Sequence, residues 1–280
     1  MKKSIDLIGQ IVPRIGYGTM RLPGPNVMGP PKDPKLAVRV LQRAYDLGVR
    51  VIDTAWYYGP DVSNELLAKA LHPYSDDLII VTKLGGKRDT QGNWLSSNTP
   101  EELRTGMEHD LKLLKIDSVP IVHLRWMGEE LDDKFRDAFE TMLHMKKEGL
   151  LKHIGLSSVT EAQLDYALER SEIVTVSNLF SLNDHHDDAM VDRCAKEGIA
   201  YLPFFPLAVG KVANQTVLQR WAAELGITPS QVALAWLLHR SSTILPIPGT
   251  SSIEHLEENF ASLDIALPAD ALQEITDSTR

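Results

Sequence analysis

The chain has 280 residues, 43% of them hydrophobic, with a formal net charge of −9 and a pI near 5.5. This size allows one large α/β domain or two ordinary ones with a buried core, and the negative charge argues against a nucleic-acid or anionic-membrane partner. The single cysteine, Cys194, excludes an internal disulfide framework. Asp6, Gln10 and Pro13 interrupt the basic start of the chain before an apolar signal-peptide segment can form, so we expect a cytoplasmic location.

Eight short apolar runs along the chain are typical of buried β-strands. In order, they are RIGYGTM from Arg14, RVIDTA from Arg50, LIIVTK from Leu78, VPIVHLR from Val119, HIGLSS from His153, EIVTVSNL from Glu172, IAYLPFF from Ile199 and TILPIPGT from Thr243. Helical patterns separate these runs, including 34–48 and 131–149, a capping box that opens at Thr160, and two helices over 214–240. This alternation indicates a parallel sheet and an α/β fold.

The number of strand–helix units predicts a single domain, 1–280, folded as a (β/α)8 TIM barrel. We expect the residues before Arg14 to form a short hairpin below the barrel, with its turn near Gly9 and Gln10. A doubly wound open sheet is the alternative that the alternation alone would allow. It is disfavoured because no G-x-G-x-x-G sequence follows the first strand and no change in composition divides the chain into halves.

Polar residues end several of the predicted strands, where a barrel of this kind carries its active site. They are Asp53, Lys83, His123, Ser157, Ser158 and Asn178. We expect Asp53 to pair with Lys83, because a buried carboxylate is costly without a partner. The lysine charge would lower the pKa of Tyr58, and His123 would either donate to a substrate oxygen or share the proton of the tyrosine. Tyr58 would then be a general acid for a developing alkoxide, as reduction of a carbonyl by hydride requires.

Other interpretations of these residues stay open at this point. Asp53 and Lys83 would also suit a structural ion pair, although a tyrosine and a histidine at neighbouring strand ends favour catalysis. The cluster over 184–188, DHHDD, resembles a metal site, but its residues are adjacent in sequence and would not converge readily on one ion. We therefore expect a polar loop there and no metal. A barrel hydrolase using metal-bound water would need ligands that converge on the top face.

The order Asp53, Tyr58, Lys83 and His123 on these strand ends resembles the catalytic tetrad of the aldo-keto reductases. The similarity covers nearly the whole chain, through GYGTM at 16–20, GLSS at 155–158, PFFPL at 203–207 and IPGTSSIEHLEEN at 247–259. Further stretches, such as GIAYLPFFPL and QVALAWLL, resemble a bacterial subgroup that includes pyridoxal reductases. The resemblance implies an NAD(P)H-dependent reductase of aldehydes or ketones, with Tyr58 as the acid, Asp53 and Lys83 tuning it, and His123 orienting the carbonyl.

The same resemblance implies a set of cofactor-binding residues. They are Gly18, Thr19, Met20, Ser157, Ser158, Asn178, Phe204, Phe205, Leu207, Gly249, Thr250, Ser251, His255, Glu258 and Asn259. The family often has Asn at 158, Gln at 177, Tyr at 204 and a small polar residue at 205. Many members carry Lys at 249 and Arg at 255, which hold the 2′-phosphate of NADP. The hydroxyls and N–H groups that begin the last motif still favour an anion, so NADP(H) is favoured and NAD(H) is the alternative.

Three tryptophans, Trp56, Trp94 and Trp126, are predicted in loops after strands on the active-site side. They would wall a pocket for a flat or apolar carbonyl substrate, although any one of them would also serve to anchor its loop. The altered cofactor positions allow a second function, a nicotinamide-sensing or regulatory protein on the same barrel without catalysis. The intact tetrad argues against it. We expect a monomer with a small-molecule substrate and with no nucleic-acid or membrane partner.

Overall fold

The computed structural model describes residues 2–207 and 216–279 of the chain. Its strands, in chain order, are β1 (Ser4–Leu7), β2 (Gln10–Pro13), β3 (Tyr17–Gly18), β4 (Val51–Asp53), β5 (Ile79–Arg88), β6 (Trp94–Ser97), β7 (Val119–Arg125), β8 (Leu151–Ser157), β9 (Ile173–Ser177) and β10 (Ala200–Tyr201). Strands β3, β4, β5, β7, β8, β9 and β10 pair in that order, and every pairing among them is parallel. The α/β barrel expected from the sequence is confirmed.

Ten α-helices surround this sheet within the described residues. They are α1 (Pro34–Leu47), α2 (Val62–Leu71), α3 (Pro100–Leu114), α4 (Asp133–Lys147), α5 (Glu161–Leu168), α6 (Asp188–Glu197), α7 (Thr216–Leu225), α8 (Pro229–Arg240), α9 (Ile253–Ala261) and α10 (Ala269–Ser278). Asp33 caps α1, Gly48 ends it at a φ of 105°, and the predicted capping box at Thr160 opens α5. The pair of helices expected over 214–240 is present as α7 and α8, although 214 and 215 lie outside the described residues. Among the described helices, none is both long and apolar enough to cross a membrane.

An antiparallel hairpin of β1 and β2 precedes the barrel, as predicted. Its two turn residues, Ile8 and Gly9, have φ values of 52° and 80°, which suit a two-residue hairpin turn. Leu7 and Val12 pack with apolar side chains from the inside of the barrel. The hairpin therefore covers the bottom of the barrel, the end opposite the C-terminal ends of the strands.

The eighth predicted run, 243–250, closes the barrel without forming a regular strand. It makes one parallel bridge, between Ile244 and Tyr201. Backbone N–H groups connect it on both sides, from Tyr201 to the carbonyl of Thr243 (2.9 Å) and from Gly16 to the carbonyl of Pro246 (2.9 Å). Two prolines lie in this run, and proline has no N–H to donate to a ladder, so the pairing stops after a few hydrogen bonds.

Alternation along the strands divides the core into two layers. Inside the barrel lie Val51, Val81, Ile121, Ala200, Leu245 and Ile247, packed with the hairpin. Between the strands and helices lie residues such as Val122, Leu124, Leu156 and Val176. Because side chains alternate along a strand, His123 and Arg125 point to the same face as Ile121. The polar ends of the strands therefore converge on the barrel interior at its C-terminal end, which we call the mouth.

One element at the mouth differs from the prediction. Strand β5 continues past the sheet and pairs antiparallel with β6, with Arg88 opposite Trp94. Trp94 therefore lies on a strand of a hairpin, and its assignment to a loop was wrong. Asp89 builds the turn by accepting hydrogen bonds from the backbone of Gln91 (3.0 Å) and Asn93 (2.8 Å), a local side-chain pattern that strand periodicity does not reveal.

We expect Arg14 to be essential for the stability of the barrel bottom. Its guanidinium is 1% exposed and donates to the carbonyls of Ile244 (2.9 Å), Leu238 (3.0 Å), Lys2 (3.0 Å) and Ser241. Arg14→Met would leave several of these acceptors buried and unpaired, which should lower the free energy of unfolding by about 3 kcal/mol or more. Urea denaturation of the variant would measure the loss.

The matched control is Arg136→Met, which removes a half-buried arginine that pairs with Asp133 at 2.8 Å within one helix turn and lies 5.7 Å from the ring of Tyr166. Its effect should stay within about 0.5 kcal/mol. Equal effects of the two substitutions would contradict a special role for Arg14.

Candidate active site

The four tetrad residues lie together at the mouth. Asp53 ends β4, Lys83 and His123 are paired across β5 and β7, and Tyr58 lies in the turn that follows β4. All four are less than a tenth exposed. The predicted ion pair is present, with Lys83 Nζ 2.5 Å from Asp53 Oδ1, and the ammonium also donates to the carbonyl of Thr54 at 3.2 Å.

The electrostatics of Tyr58 differ from the sequence prediction. Lys83 Nζ lies 5.3 Å from the centroid of the Tyr58 ring, yet it does not lower the pKa of the phenol. Burial raises that pKa well above its ordinary value, the carboxylate of Asp53 raises it further, and Arg125 opposes the shift. The prediction was wrong because the lysine charge is balanced by its own partner and because burial disfavours the phenolate. Tyr58 is therefore a protonated donor at neutral pH.

His123 is neutral in this setting. It is fully buried, and its pKa is held well below the ordinary value by burial and, secondarily, by the charge of Lys83. Its Nε2 lies 2.7 Å from Thr175 Oγ1, while Nδ1 has no partner. Gly155 makes room for this contact, because a Cβ there would lie 2.2 Å from Thr175 Oγ1 and 2.3 Å from His123 Cδ2. Sequence analysis missed Thr175, which alternation places two residues before Ser177 on the inner face of β9.

A buried polar network behind the tetrad was also missed. The hydroxyl of Thr19 donates to that of Thr54 (2.9 Å), which donates to the side-chain oxygen of Asn64 (2.7 Å). The carboxylate of Asp110 on α3 accepts from the amide of Asn64 (2.6 Å) and from the hydroxyl of Thr82 (2.8 Å). Burial raises the pKa of Asp110 to about 7, against the hydrogen bonds that favour its charged form. The network connects the end of β3 with the residue next to Lys83, so it fixes the backbone around the tetrad.

Three of the proposed cofactor residues, Ser157, Ser158 and Asn178, lie on or just beyond β8 and β9. Ser157 ends β8 opposite Ser177 of β9, and both are buried. Ser158 adopts a positive φ of 59°, a conformation that asparagine accepts readily and that most L residues avoid. Asn178 bridges the backbone of Val159, with hydrogen bonds of 3.0 and 2.8 Å, so its amide is already engaged in shaping this turn.

The aromatic pair and the leucine that follow β10 are also at this edge. Phe204 is half-buried and donates its N–H to the carbonyl of Asn178 at 3.1 Å. Phe205 is 36% exposed, lies edge-on to Phe204 with ring centroids 5.5 Å apart, and has a positive φ of 53°. Leu207 packs against the core between strands and helices.

The backbone at the start of the motif 247–259 packs very closely against β3. A Cβ on Gly18 would lie 2.7 Å from the carbonyl oxygen of Ile247, and one on Gly249 would lie 2.6 Å from that of Gly18. The phenol of Tyr17 donates to the carbonyl of Thr250 at 2.5 Å. This backbone therefore has no space for a lysine at 249, which accounts for the glycine. The side chain of Arg21 lies next to Gly249, with its Cγ 3.3 Å from the position that a Cβ on Gly249 would take. Sequence analysis did not consider Arg21 as a cofactor residue.

The remaining residues of this set surround the start of α9. Thr19 is buried, and half-buried Met20 packs near Tyr57 and Tyr58. Ser252 caps α9, because its hydroxyl accepts a hydrogen bond from the N–H of His255 at 3.3 Å. Thr250 and Asn259 are buried, Glu258 is half-buried, and Ser251 and His255 are exposed. Within the described part of the chain, no three His, Cys, Asp or Glu side chains cluster as metal ligands.

Of the three tryptophans, Trp94 is the one beside the tetrad. Its ring lies edge-on to Tyr58 at 6.2 Å, and it is 38% exposed. Trp56 stacks on His109 of α3 at 5.0 Å, and Trp126 packs edge-on against Phe135 of α4 at 5.2 Å. Trp56 and Trp126 thus have contacts that anchor their turns to the surrounding helices.

These residues fit a nicotinamide dinucleotide. Ser177 Oγ and His123 Nδ1 are buried at the mouth without partners, so each has capacity for a ligand. Gly18 and Gly249 let the backbone of β3 and that of the run 243–250 approach closely, which no other residue at these positions would allow. The capped start of α9 lies next to that place and favours phosphate.

Comparison with known proteins agrees with this site. A sequence profile of the Aldo/keto reductase family matches residues 14–280. The chain belongs to the aldo/keto reductase family. It is 45% identical over 273 residues to the Pyridoxine 4-dehydrogenase of Escherichia coli K12, covering 96% of each chain. It is 37% identical to an oxidoreductase of Schizosaccharomyces pombe, covering 95% of this chain and 86% of that one.

Solved structures of the family have the same fold. The aldo/keto reductase of Klebsiella pneumoniae in complex with NADP and acetate superposes with a TM-score of 0.82 at 25% identity, covering 100% of this chain and 96% of that one. A thermostable aldo-keto reductase in complex with the inhibitor epalrestat gives a TM-score of 0.84 at 26% identity, covering 98% of each chain. The resemblance read from the motifs is confirmed, and this aldo/keto reductase is an NAD(P)H-dependent oxidoreductase.

The buried carboxyl of Asp110 should leave a mark on the stability of the protein. Because its pKa is about 7 in the folded state against an ordinary value of 3.8, the folded state holds one more proton between these pH values. Its contribution to the free energy of unfolding is therefore full below about pH 4 and declines as the pH rises to 7. Asp110→Asn keeps the shape of the side chain and removes the titration.

Urea unfolding of both proteins at intervals from pH 4.5 to 7.5 measures this contribution. The free energy of unfolding of the wild type minus that of the variant should fall with rising pH, by at most about 4 kcal/mol. A difference that stays constant with pH would show that Asp110 does not titrate in this range.

Proposed function

We propose that this aldo/keto reductase transfers hydride from NADPH to the carbonyl carbon of a small aldehyde, with Tyr58 as the proton donor. The observation that carries the proposal is the buried arrangement at the mouth, where a protonated tyrosine lies beside an ion pair and a neutral histidine. The high identity to a Pyridoxine 4-dehydrogenase over 96% of both chains supports pyridoxal as the first aldehyde to test, with pyridoxine as the corresponding alcohol.

The roles of the side chains follow from their protonation states. The carbonyl oxygen would accept a hydrogen bond from the hydroxyl of Tyr58 and lie near the imidazole of His123, both of which are neutral donors in a site that excludes water. As negative charge develops on that oxygen, Tyr58 would transfer its proton to it. Lys83, 5.3 Å from the ring, would hold the carboxylate of Asp53 in place, and its charge is balanced by that carboxylate. The bound cofactor supplies the hydride.

NADP(H) is the cofactor that the site favours. The cations that many relatives place at 249 and 255 are replaced by Gly249 and His255, and Arg21 is the arginine nearest to the gap. Its side chain is exposed and makes no ion pair with the described residues. A guanidinium beside the start of α9 would attract the 2′-phosphate, which NADH does not have.

Replacement of Tyr58 tests the catalytic proposal. Tyr58→Phe keeps the ring contacts with Tyr57 and Trp94 and removes the donor, so turnover of pyridoxal should fall at least a hundred-fold. The dissociation constant for NADPH, measured by fluorescence titration, should change less than about two-fold, because the proton donor adds nothing to cofactor affinity in the ground state. Tyr74→Phe is the matched control, since it removes another buried phenol hydroxyl without a partner, away from the mouth.

Single-turnover mixing of the NADPH complex with pyridoxal and simple aldehydes gives the readout. Near-normal oxidation of NADPH by Tyr58→Phe would refute the role of Tyr58. Tight NADPH binding by the wild type without oxidation by any aldehyde would favour the non-catalytic, cofactor-sensing alternative. Absence of binding of both NADPH and NADH would refute the proposed function altogether.

Arg21→Gln tests the cofactor preference. We expect NADPH to bind about ten-fold more weakly to the variant and NADH to bind within about two-fold of its wild-type affinity, because one charge-assisted contact to the 2′-phosphate is lost. Arg39→Gln, an exposed arginine of α1, controls for the change in net charge. Equal loss for both cofactors would place Arg21 on a part that they share.

A further inference from the structure

Arg125 lies on the same strand as His123 and closer to the open end of the barrel. It is the last residue of β7, two positions after His123, and therefore points to the same inner face of the strand. Its backbone is in register with Ser157, and Ser157 with Ser177, so these three residues form a row across β7, β8 and β9. The row below it contains His123, Gly155 and Thr175. Arg125 is thus placed between the carbonyl-binding level and solvent.

Its guanidinium has no partner among the described residues. Three cations of the neighbouring strand β5 are engaged: Lys83 with Asp53, Lys87 with Glu102 at 2.6 Å, and Arg88 with the carbonyls of Asn26, Val27 and Gly92. Arg125 makes no such bond within 2–207 and 216–279, and its Nη1 is buried without an acceptor. A buried donor that has given up water without gaining an acceptor is destabilising, so this nitrogen indicates a missing anionic or carbonyl ligand.

The charge of Arg125 acts on the aromatic cluster around the proton donor. It opposes the upward pKa shift of both Tyr58 and Tyr57, which places it within electrostatic range of their phenol oxygens. Tyr57 Oη is also buried and unpartnered. Two hydrogen-bond donors around Tyr58, Arg125 Nη1 and Tyr57 Oη, therefore have no acceptor among the described residues, and Arg125 is the one of the two whose residue is not fully buried.

We propose that Arg125 is a specificity-determining residue that binds an anionic oxygen substituent, a carboxylate or an ionised aryl hydroxyl, carried by the aldehyde substrate. The inference rests on the proposed function, since Tyr58 and His123 must hold the carbonyl oxygen for the substituent to reach the row of Arg125, Ser157 and Ser177. The planar guanidinium suits such an anion because it donates two parallel hydrogen bonds to a carboxylate. The aromatic edges of Tyr58 and Trp94 suit a flat ring that joins the two groups.

Paired substrates test the proposal. The probes are 3- and 4-carboxybenzaldehyde, each compared with its methyl ester, which has the same ring and aldehyde without the charge. Arg125→Gln should lower kcat/KM for at least one of the two acids about ten-fold or more, mainly through KM, and change kcat/KM for its ester less than about three-fold. Arg125→Lys should recover part of the loss, because lysine restores the positive charge but cannot donate two parallel hydrogen bonds to the carboxylate.

Lys87→Gln is the matched control, because Lys87 is a cation of the neighbouring strand β5 that is already paired with Glu102. If the mouth attracts anions only through its general potential, the two variants should lose activity on the acids equally. Equal losses in Lys87→Gln and Arg125→Gln, or equal changes for acid and ester in Arg125→Gln, would overturn the assignment. A weaker binding of NADPH to Arg125→Gln by fluorescence titration would instead place Arg125 on the cofactor and would also overturn it.

A binding measurement separates this inference from the proposed function. Calorimetric titration of the NADP⁺ complex with 3- and 4-(hydroxymethyl)benzoate and with their uncharged amides requires no turnover. Weaker binding of an acid to Arg125→Gln, with its amide unchanged, would support the anion site even if no aldehyde were reduced. Equal affinities of the acids for wild type and Arg125→Gln would refute it even if the wild type reduced every aldehyde.

Discussion

The ion pair between Asp53 and Lys83 is the contact on which the rest of the mouth depends. Two opposite charges, both nearly excluded from water, are held 2.5 Å apart on neighbouring strands. Such a pair has a large desolvation cost and is strongly destabilised if either partner is lost. Its position therefore has to be maintained by the surrounding polar contacts. The carbonyl of Thr54 accepts from Lys83, and the network through Thr54, Asn64 and Asp110 holds both strands from behind.

The same pair explains why the neighbouring groups are neutral. Burial and the charge of Asp53 raise the pKa of Tyr58, while burial and the charge of Lys83 lower that of His123, so both side chains remain uncharged donors. A neutral phenol and a neutral imidazole cost less to bury than their ions do. Both can still respond to charge that develops on a bound oxygen, where a water-poor site makes each interaction stronger. The ion pair thus allows a dry site whose donors are ready before the substrate arrives.

Much of this could be predicted from the sequence, because alternation and strand order act on every strand alike. Apolar runs that end in Asp53, Lys83 and His123 predicted both the barrel and the convergence of these side chains, and the structure places them together. The run 243–250 was predicted as a full strand, and its prolines reduce it to a bridge. The β5–β6 hairpin escaped prediction since its turn depends on one aspartate side chain that binds the backbone locally.

The functional residues that sequence analysis missed are those whose importance depends on a partner or on its absence. Thr175 and Asp110 are ordinary residues of a strand and a helix until their hydrogen bonds to His123 and Asn64 are seen. Arg125 also looks like a common strand end. In the described residues it stands out because its buried Nη1 has no acceptor, whereas Lys83, Lys87 and Arg88 on the neighbouring strand are all engaged. The net charge of −9 does not reveal that a partly buried guanidinium without a partner among the described residues lies near a neutral proton donor. A preference for an anionic substrate, as proposed above, would therefore depend on the three-dimensional arrangement and not on the composition.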